Sequence, residues 1–302
     1  MFWILVAVAS YVLLAVAALI DKFLLSGQLG DPKIYAFYVG ILSAIAFLLL
    51  PFGFWASPDL VLFLIGVAAG AAQIYGCYFY LSALKRFEAS RAVPLIGSLI
   101  PIFGFFLTAV VSGGRAVLDP RQLLGFFLLI TGGWLVMAKG FSIKKNGLGS
   151  VFAASLLFAL AVVLAKLVYL RLPFLPGFLI TAFGSTGAAM TFLFSASVRD
   201  TVFGAHSAKN HNQPNLLFFT GQGMGGAAFL LQNLAVWLAP QASVPVVNAI
   251  AGVQYAFIFL FSITLSAHFP SAFKEKTAPA DIFQKTLAII LIIFGLAIFT
   301  LN

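Results

Sequence analysis

Charge is what this sequence has least of. Lysine and arginine together number 17 and aspartate and glutamate only 8, so charged residues make up 8% of the 302-residue chain. A water-soluble domain carries about 25%. With 62% hydrophobic residues, the chain has more apolar surface than a globular core of this size can bury. That excludes a soluble enzyme, a disordered chain and a nucleic-acid binder. Cysteine is nearly missing too: Cys77 alone permits neither an intramolecular disulfide nor a thiolate metal cluster, and it excludes a disulfide-stapled secreted scaffold. The three histidines, His206, His211 and His268, fall between the apolar segments. There is no Gly-Lys-Ser/Thr phosphate loop, no acidic pair suited to Mg²⁺ and no Asn-x-Ser/Thr sequon. The chain therefore reads as not an enzyme, with no cofactor and no metal.

What is present is apolar length. The charges cut the chain into uncharged segments at 2–20, 34–50, 60–84, 92–112, 122–138, 148–165, 174–198, 215–238, 244–267 and 286–301. Each is close to the roughly 17–25 residues that cross ~30 Å of hydrocarbon as a helix. None alternates polar with apolar as a membrane strand would, and a backbone in lipid must satisfy its own hydrogen bonds. The expectation is an all-α integral membrane protein with ten transmembrane helices, here called spans 1 to 10. Ala15-Val16-Ala17 resembles a signal-peptide cleavage site, but no basic residue precedes the first apolar run, so that run is kept as span 1.

The charges also have a side. The connections after spans 1, 3, 5, 7 and 9 hold 13 basic residues, from Lys22 and Lys33 through Lys85, Arg86 and Arg91 to Lys285; the opposite connections hold 4, Arg115, Arg121, Lys166 and Arg171. Basic residues collect in the cytoplasm, so both termini are expected outside. The net charge of +9 is then a property of cytoplasmic loops and implies no anionic partner.

The chain also matches itself. At an offset of 144 residues Ala15 meets Ala159, Lys22 meets Lys166, Pro32 meets Pro176 and Gly40 meets Gly184; at 153, Gly70 meets Gly223 and Ala89-Ser90 meets Ala242-Ser243; at 162, Gln122 meets Gln284 and Gly133 meets Gly295. The jumps of nine fall in connections, where insertions are tolerated. The expected organisation is a first five-helix repeat at 1–140 and a second at 147–302, within one membrane domain. Five is odd, so the second copy enters from the opposite face. Inverted repeats of this kind build secondary transporters, which rock two bundles about a site near the midplane.

The stretch Ala83-Leu84-Lys85-Arg86-Phe87-Glu88-Ala89-Ser90-Arg91-Ala92-Val93-Pro94-Leu95, leading into Ser98-Leu99-Ile100-Pro101-Ile102-Phe103, resembles the junction of helices 3 and 4 in the EamA-like branch of the drug/metabolite transporter superfamily. Ile20-Asp21-Lys22-Phe23-Leu24-Leu25 and Gln122-Leu123-Leu124-Gly125 are also similar to that branch, and with the repeat the resemblance covers the whole chain. It implies a ten-helix exporter of small polar metabolites in a bacterial cytoplasmic membrane; the sequence leaves monomer and homodimer both open. The chain departs from the family pattern at Gly113-Gly114-Arg115, where many members have a Glu, and in its charge-derived orientation, since members are usually drawn with cytoplasmic termini.

A transporter needs polar groups at membrane depth, where they are costly. In span 8, Gln222 and Asn233 are eleven residues apart and so return to within ~20° of one another; Gln73 and Tyr80 lie on the matching face of span 3. Span 4 adds Ser98, and span 9 adds Asn248 and Gln254, which lie on different faces. These seven are the candidate cavity residues, and their donors and acceptors suit an uncharged or zwitterionic solute. The competing role for each is ordinary helix–helix bonding. Asp21, the most internal acid, and the repeat-equivalent pair Lys22 and Lys166 are gating or coupling candidates, against the plainer roles of ion pairing and snorkelling. Pro94, Pro101 and Pro245 can kink their helices. The Gly/Ala-rich stretches 66–72 and 221–228 suit close helix contact. The small-molecule substrate and the bilayer are the partners expected. The alternative is a membrane scaffold, or a subunit that handles lipid intermediates without transporting.

Overall fold

A computed structural model gives the fold. It describes residues 2–26, 30–52, 58–111, 113, 119–138, 145–203, 216–239, 250–268 and 278–300. Among these residues the chain is helical apart from short connections, with no strand. The helices are α1 (Phe2–Ser26), α2 (Pro32–Leu42), which continues as a 3₁₀ helix (Ser43–Phe52), α3 (Leu60–Arg86), α4 (Ala89–Val111), α5 (Pro120–Ala138), α6 (Lys145–Tyr169), α7 (Phe174–Thr191) with a 3₁₀ turn (Phe192–Phe194), α8 (Ala196–Phe203), α9 (Leu216–Leu238), α10 (Ala251–His268) and α11 (Pro279–Thr300). Several starts are written in the sequence. Asp31 accepts from the Lys33 N–H at 2.9 Å and Asp59 from the Leu62 N–H at 2.7 Å, two acidic N-caps. Pro32, Pro120 and Pro279 open their helices, where the missing N–H costs nothing.

Among the described residues seven segments are long and apolar enough to cross a membrane: Phe2–Ser26, Pro32–Pro51, Leu60–Arg86, Ala89–Val111, Gly147–Tyr169, Phe174–Phe194 and Pro279–Ile298. Shorter apolar helices lie at Leu123–Leu135 and Ala251–Ser266. The bundle turns large apolar side chains outward, among them Leu60, Val110, Trp134, Phe194 and Leu216, a surface that calls for lipid contact. This fits a multi-pass membrane protein.

Two boundary expectations are corrected. Span 7 was expected as one helix over 174–198, but α7 stops at Thr191 and α8 covers Ala196–Phe203, running past Arg199 and Asp200. Charged residues were also expected to mark helix ends. Instead Asp21 and Lys22 lie inside α1, Arg91 inside α4, Lys166 inside α6, and Asp281 and Lys285 inside α11. A charge can sit inside such a helix when its side chain reaches a partner, and each of these does.

α3 packs most extensively on α6, α5 on α11, and α1 on α9. The interior is made largely of alanine, glycine and medium aliphatic side chains. Small residues let helices approach closely enough for dispersion to hold them in lipid, where no hydrophobic force acts between them. Gly132 and Gly295 bring α5 and α11 together against Ile292 and Leu129.

A charge cluster fastens the same region. The Lys285 Nζ lies 2.8 Å from Glu88 Oε2, the Arg91 Nε 2.8 Å from the same oxygen, and Arg91 Nη2 3.4 Å from Asp281 Oδ1. Arg91 and Lys285 are each only 2% exposed. Burial pushes the Glu88 carboxyl up, but hydrogen bonds and charge from Lys285 and Arg91 outweigh burial and hold it below the usual glutamate value of 4.5. Its contribution to stability is therefore complete above that value and is lost as the pH falls through the lower, folded one. Glu88→Gln is expected to destabilise the protein by about 3–5 kcal/mol, because it leaves buried cations short of a counter-charge. Thermal melts at neutral and acidic pH check this. The gap between wild type and variant should narrow as the pH falls.

Candidate functional site

A cavity of about 40 Å³ lies among α3, α6, α7 and α9. Its walls include Gln73 from α3, Ala165 from α6, Thr181 from α7, and Phe229, Gln232 and Asn233 from α9. Two of the seven expected cavity residues, Gln73 and Asn233, therefore meet there. Asn233 is held in place: the Tyr169 hydroxyl donates to its Oδ1 at 2.8 Å and its Nδ2 donates to the Phe229 carbonyl at 2.9 Å. Gln232 Nε2 donates to the Tyr11 hydroxyl at 3.2 Å. The Thr181 hydroxyl is turned back to the Phe178 carbonyl. Gln73 is half-buried and makes no hydrogen bond to any described residue. The cavity thus holds two bonded amides, Gln232 and Asn233, and one, Gln73, with no bond among the described residues. Its volume admits only a few waters, at roughly 10–15 Å³ each, so a solute enters only if the walls part.

A second polar cluster lies about 16 Å further along α9, eleven residues at 1.5 Å each. Here Gln222 meets Asp21. The Tyr35 hydroxyl donates to Asp21 Oδ1, and Gln222 Nε2 donates to the Tyr35 oxygen at 3.0 Å and to Asp21 Oδ1 at 3.4 Å. Cys77 and Tyr80 of α3 lie within electrostatic reach of the carboxylate. Phe218 packs edge-on against Tyr35, with ring centroids 5.2 Å apart, and against Tyr38 at 5.8 Å. Asp21 is half-buried. Among the described residues no lysine or arginine forms an ion pair with it.

The expected stripes are thus split between two levels. Gln73 and Asn233 share the upper cavity, and Tyr80 and Gln222 the level of Asp21. Lys22 neither snorkels nor faces Asp21: its Nζ donates to the carbonyls of Leu84 at 2.7 Å and Phe87 at 2.8 Å, capping the carbonyl end of α3, where a cation is favoured. Lys166 donates to the Val236 carbonyl at 3.3 Å, near the end of α9. Ser98 donates to its own helix at Leu95 and packs on Gly133 of α5, away from the cavity. Gln254 is buried in α10 and lines neither cluster. α4 runs unbroken through Pro94 and Pro101, both buried, and neither lines the cavity. Pro245 and Asn248 lie outside the described residues.

Tyr11, Tyr35, Tyr169 and Thr181 were not singled out from the sequence. A tyrosine in an apolar helix signals nothing about which neighbour its hydroxyl will meet. Gln232 sits one residue before Asn233 and so about 100° off the expected stripe.

No family model and no curated protein matches this chain. Solved structures do match. One, described only as a crystal structure of a protein, superposes with a TM-score of 0.61 over 98% of this chain and 95% of its own, at 17% sequence identity. The likeness establishes that this arrangement of helices occurs in an experimental structure.

The two lysines make a prediction of their own. Lys22→Met removes two charge-assisted bonds, at roughly 1.5–3 kcal/mol for a bond to a charged group, and Lys166→Met removes one longer bond. Lys22→Met should lower the melting temperature more than Lys166→Met. Equal effects would show that the bonds to Leu84 and Phe87 contribute little.

Proposed function

We propose that the chain is a secondary transporter of small polar metabolites, built from ten spans in two inverted five-helix repeats and working by alternating access. The observation that carries the reading is the cavity itself, where amides stand at membrane depth between apolar helices and Gln73 has no bond among the described residues. Helix–helix bonding accounts for a paired amide but not for an open one.

The helix pairs support the inverted repeat, because they come in exchangeable sets. α3 packs on α6 and α9 on α1; α4 packs on α6 and α10 on α1; α5 packs on α11. Exchanging the halves turns each set into itself. Lys22 of α1 reaches the end of α3, and Lys166 of α6 reaches the end of α9, which are equivalent bonds under the same exchange. The resemblance to the EamA-like branch of the drug/metabolite transporter superfamily supports export from a bacterial cytoplasmic membrane, with both termini outside by the charge count.

In this reading Gln73, Gln232 and Asn233 bind the solute's polar groups, with donors and acceptors that suit an uncharged or zwitterionic molecule. Asp21 is the coupling group. It is a carboxylate inside α1 with no counter-cation among the described residues, in a setting where an ionisable side chain is costly and marks a pathway.

The experiment is a thermal-shift screen of the purified protein against metabolite pools, followed by flux of the stabilising solute in proteoliposomes. Gln73→Ala with Asn233→Ala should weaken solute binding by roughly tenfold or more, at about 1–1.5 kcal/mol per hydrogen bond lost, and abolish flux while the protein still folds. Asp21→Asn should abolish accumulation against a gradient and leave equilibrating exchange. If no solute binds or moves under any gradient, the chain is a scaffold or a lipid-handling subunit instead.

A further inference from the structure

The repeat register pairs Gly40 of α2 with Gly184 of α7, and Gly70 of α3 with Gly223 of α9. The two halves do not use these glycines alike. Gly70 and Gly184 stand backbone to backbone: a methyl group on Gly70 would strike the main chain of Thr181, Gly184 and Ser185, and one on Gly184 would strike that of Val67. The Ser185 hydroxyl closes the contact with a 3.1 Å bond to the Gly70 carbonyl. The equivalent contact, Gly223 on Gly40, is not made. A methyl group on Gly223 would meet no atom within 4 Å, and Gly40 packs on Ala189 and Ile74. α9 and α2 meet instead through long side chains, Gln222 on Tyr35 and Phe218 on Tyr35 and Tyr38.

A second difference points the same way. α2 gives way to a 3₁₀ helix from Ser43, whereas its repeat counterpart α7 stays α-helical to Thr191. A long 3₁₀ stretch within a helical span marks strain or a hinge. One sequence pattern is thus held in two shapes.

Resting on the inverted-repeat reading above, we propose that the glycine pairs Gly70–Gly184 and Gly40–Gly223 are alternative clamps of a two-state device. The first is closed and the second parted in this structure, and exchanging them opens the cavity at Gln73 and Asn233. Glycine suits a clamp because, with no side chain, it lets two helix backbones come into direct contact. The cavity lies directly beside the closed clamp, since Gly70 and Thr181 line it. Parting α3 from α7 therefore removes one wall and admits a solute too large for the present volume. When α9 closes on α2, its Gly223 face docks on Gly40, and Tyr35, Phe218 and Gln222 rearrange around Asp21. The carboxylate thus sits at the joint of the second clamp.

The test needs no solute. In a Cys77→Ala background, spin labels at Leu60 and Arg171 report the start of α3 against the start of α7. Labels at Lys33 and Leu216 report α2 against α9. Distances are read by pulsed electron paramagnetic resonance in lipid nanodiscs. Gly70→Leu cannot keep the closed clamp, so the first distance should lengthen by roughly 5 Å, about one helical turn, and the second should shorten. Gly223→Leu fills open space, so it should fold with both distances unchanged. In the Gly70→Leu background it should also block the shortening. If Gly70→Leu does not fold, Gly184→Ala reads the same two distances with a smaller wedge. A first distance that lengthens without the second shortening overturns the exchange, and so does no change in either. Either result leaves a measured flux, and with it the transporter reading, standing; absent flux with an intact exchange would count against transport alone.

Discussion

A bundle this poor in charge depends on one constraint: a charged or strongly polar group inside it has to be answered by the protein, because hydrocarbon offers no water to answer it. The internal charges take three kinds of answer. Lys22 and Lys166 point at helix carbonyl ends. Arg91 and Lys285 share Glu88 and Asp281. Asp21 receives hydrogen bonds from Tyr35 and Gln222, which are neutral groups. The first two kinds supply opposite charge or its dipolar equivalent and so fix helices to one another. The third supplies donors only. A carboxylate held by neutral donors is the easiest of these groups to perturb, and it is the one at the junction of α1, α2, α3 and α9.

That constraint decides what was legible in the sequence. Apolar length is a local property, so the expected apolar segments fall on helices among the described residues, seven of them long and apolar enough to cross a membrane. Where they end was misread, because a charge was taken to mark water. Lys22 shows why that fails: its long side chain runs to the end of α3 while its backbone stays inside α1. Nothing near Lys22 in sequence announces Leu84 or Phe87. The cluster of Arg91, Glu88, Asp281 and Lys285 joins residues almost two hundred positions apart, and only folding brings them together.

The candidate site was legible in the same partial way. Periodicity placed Gln73 with Tyr80 and Gln222 with Asn233 on shared faces, and the structure keeps those faces inward. What periodicity cannot give is depth. Residues on one stripe of a long helix can serve different levels, and here one stripe of α9 serves both the cavity and the Asp21 cluster. Ser98 shows the opposite limit. It is small, polar and buried, and its hydroxyl is spent within its own helix while its body fits Gly133.

Glycine carries two distinct tasks in this bundle, separated by what surrounds it. In α5 and α11, Gly132 and Gly295 lie in a seam with Ile292 and Leu129. α11 also carries Lys285 and Asp281, which reach across to Glu88 and Arg91 at the start of α4. Parting that seam would strip buried cations of their partners, so this side of the molecule is fixed. In α3 and α7 the glycine contact is joined only by neutral hydrogen bonds, from Ser185 to Gly70 and, further along, between the Tyr75 and Thr191 hydroxyls, each worth about 1 kcal/mol. Backbone against backbone with neutral bonds alone is a contact that can be exchanged for an equivalent one elsewhere. The proposed exchange falls at α2, α3, α7 and α9, away from the charge cluster, and with α6 these are the helices on which the cavity and Asp21's hydrogen-bond partners stand.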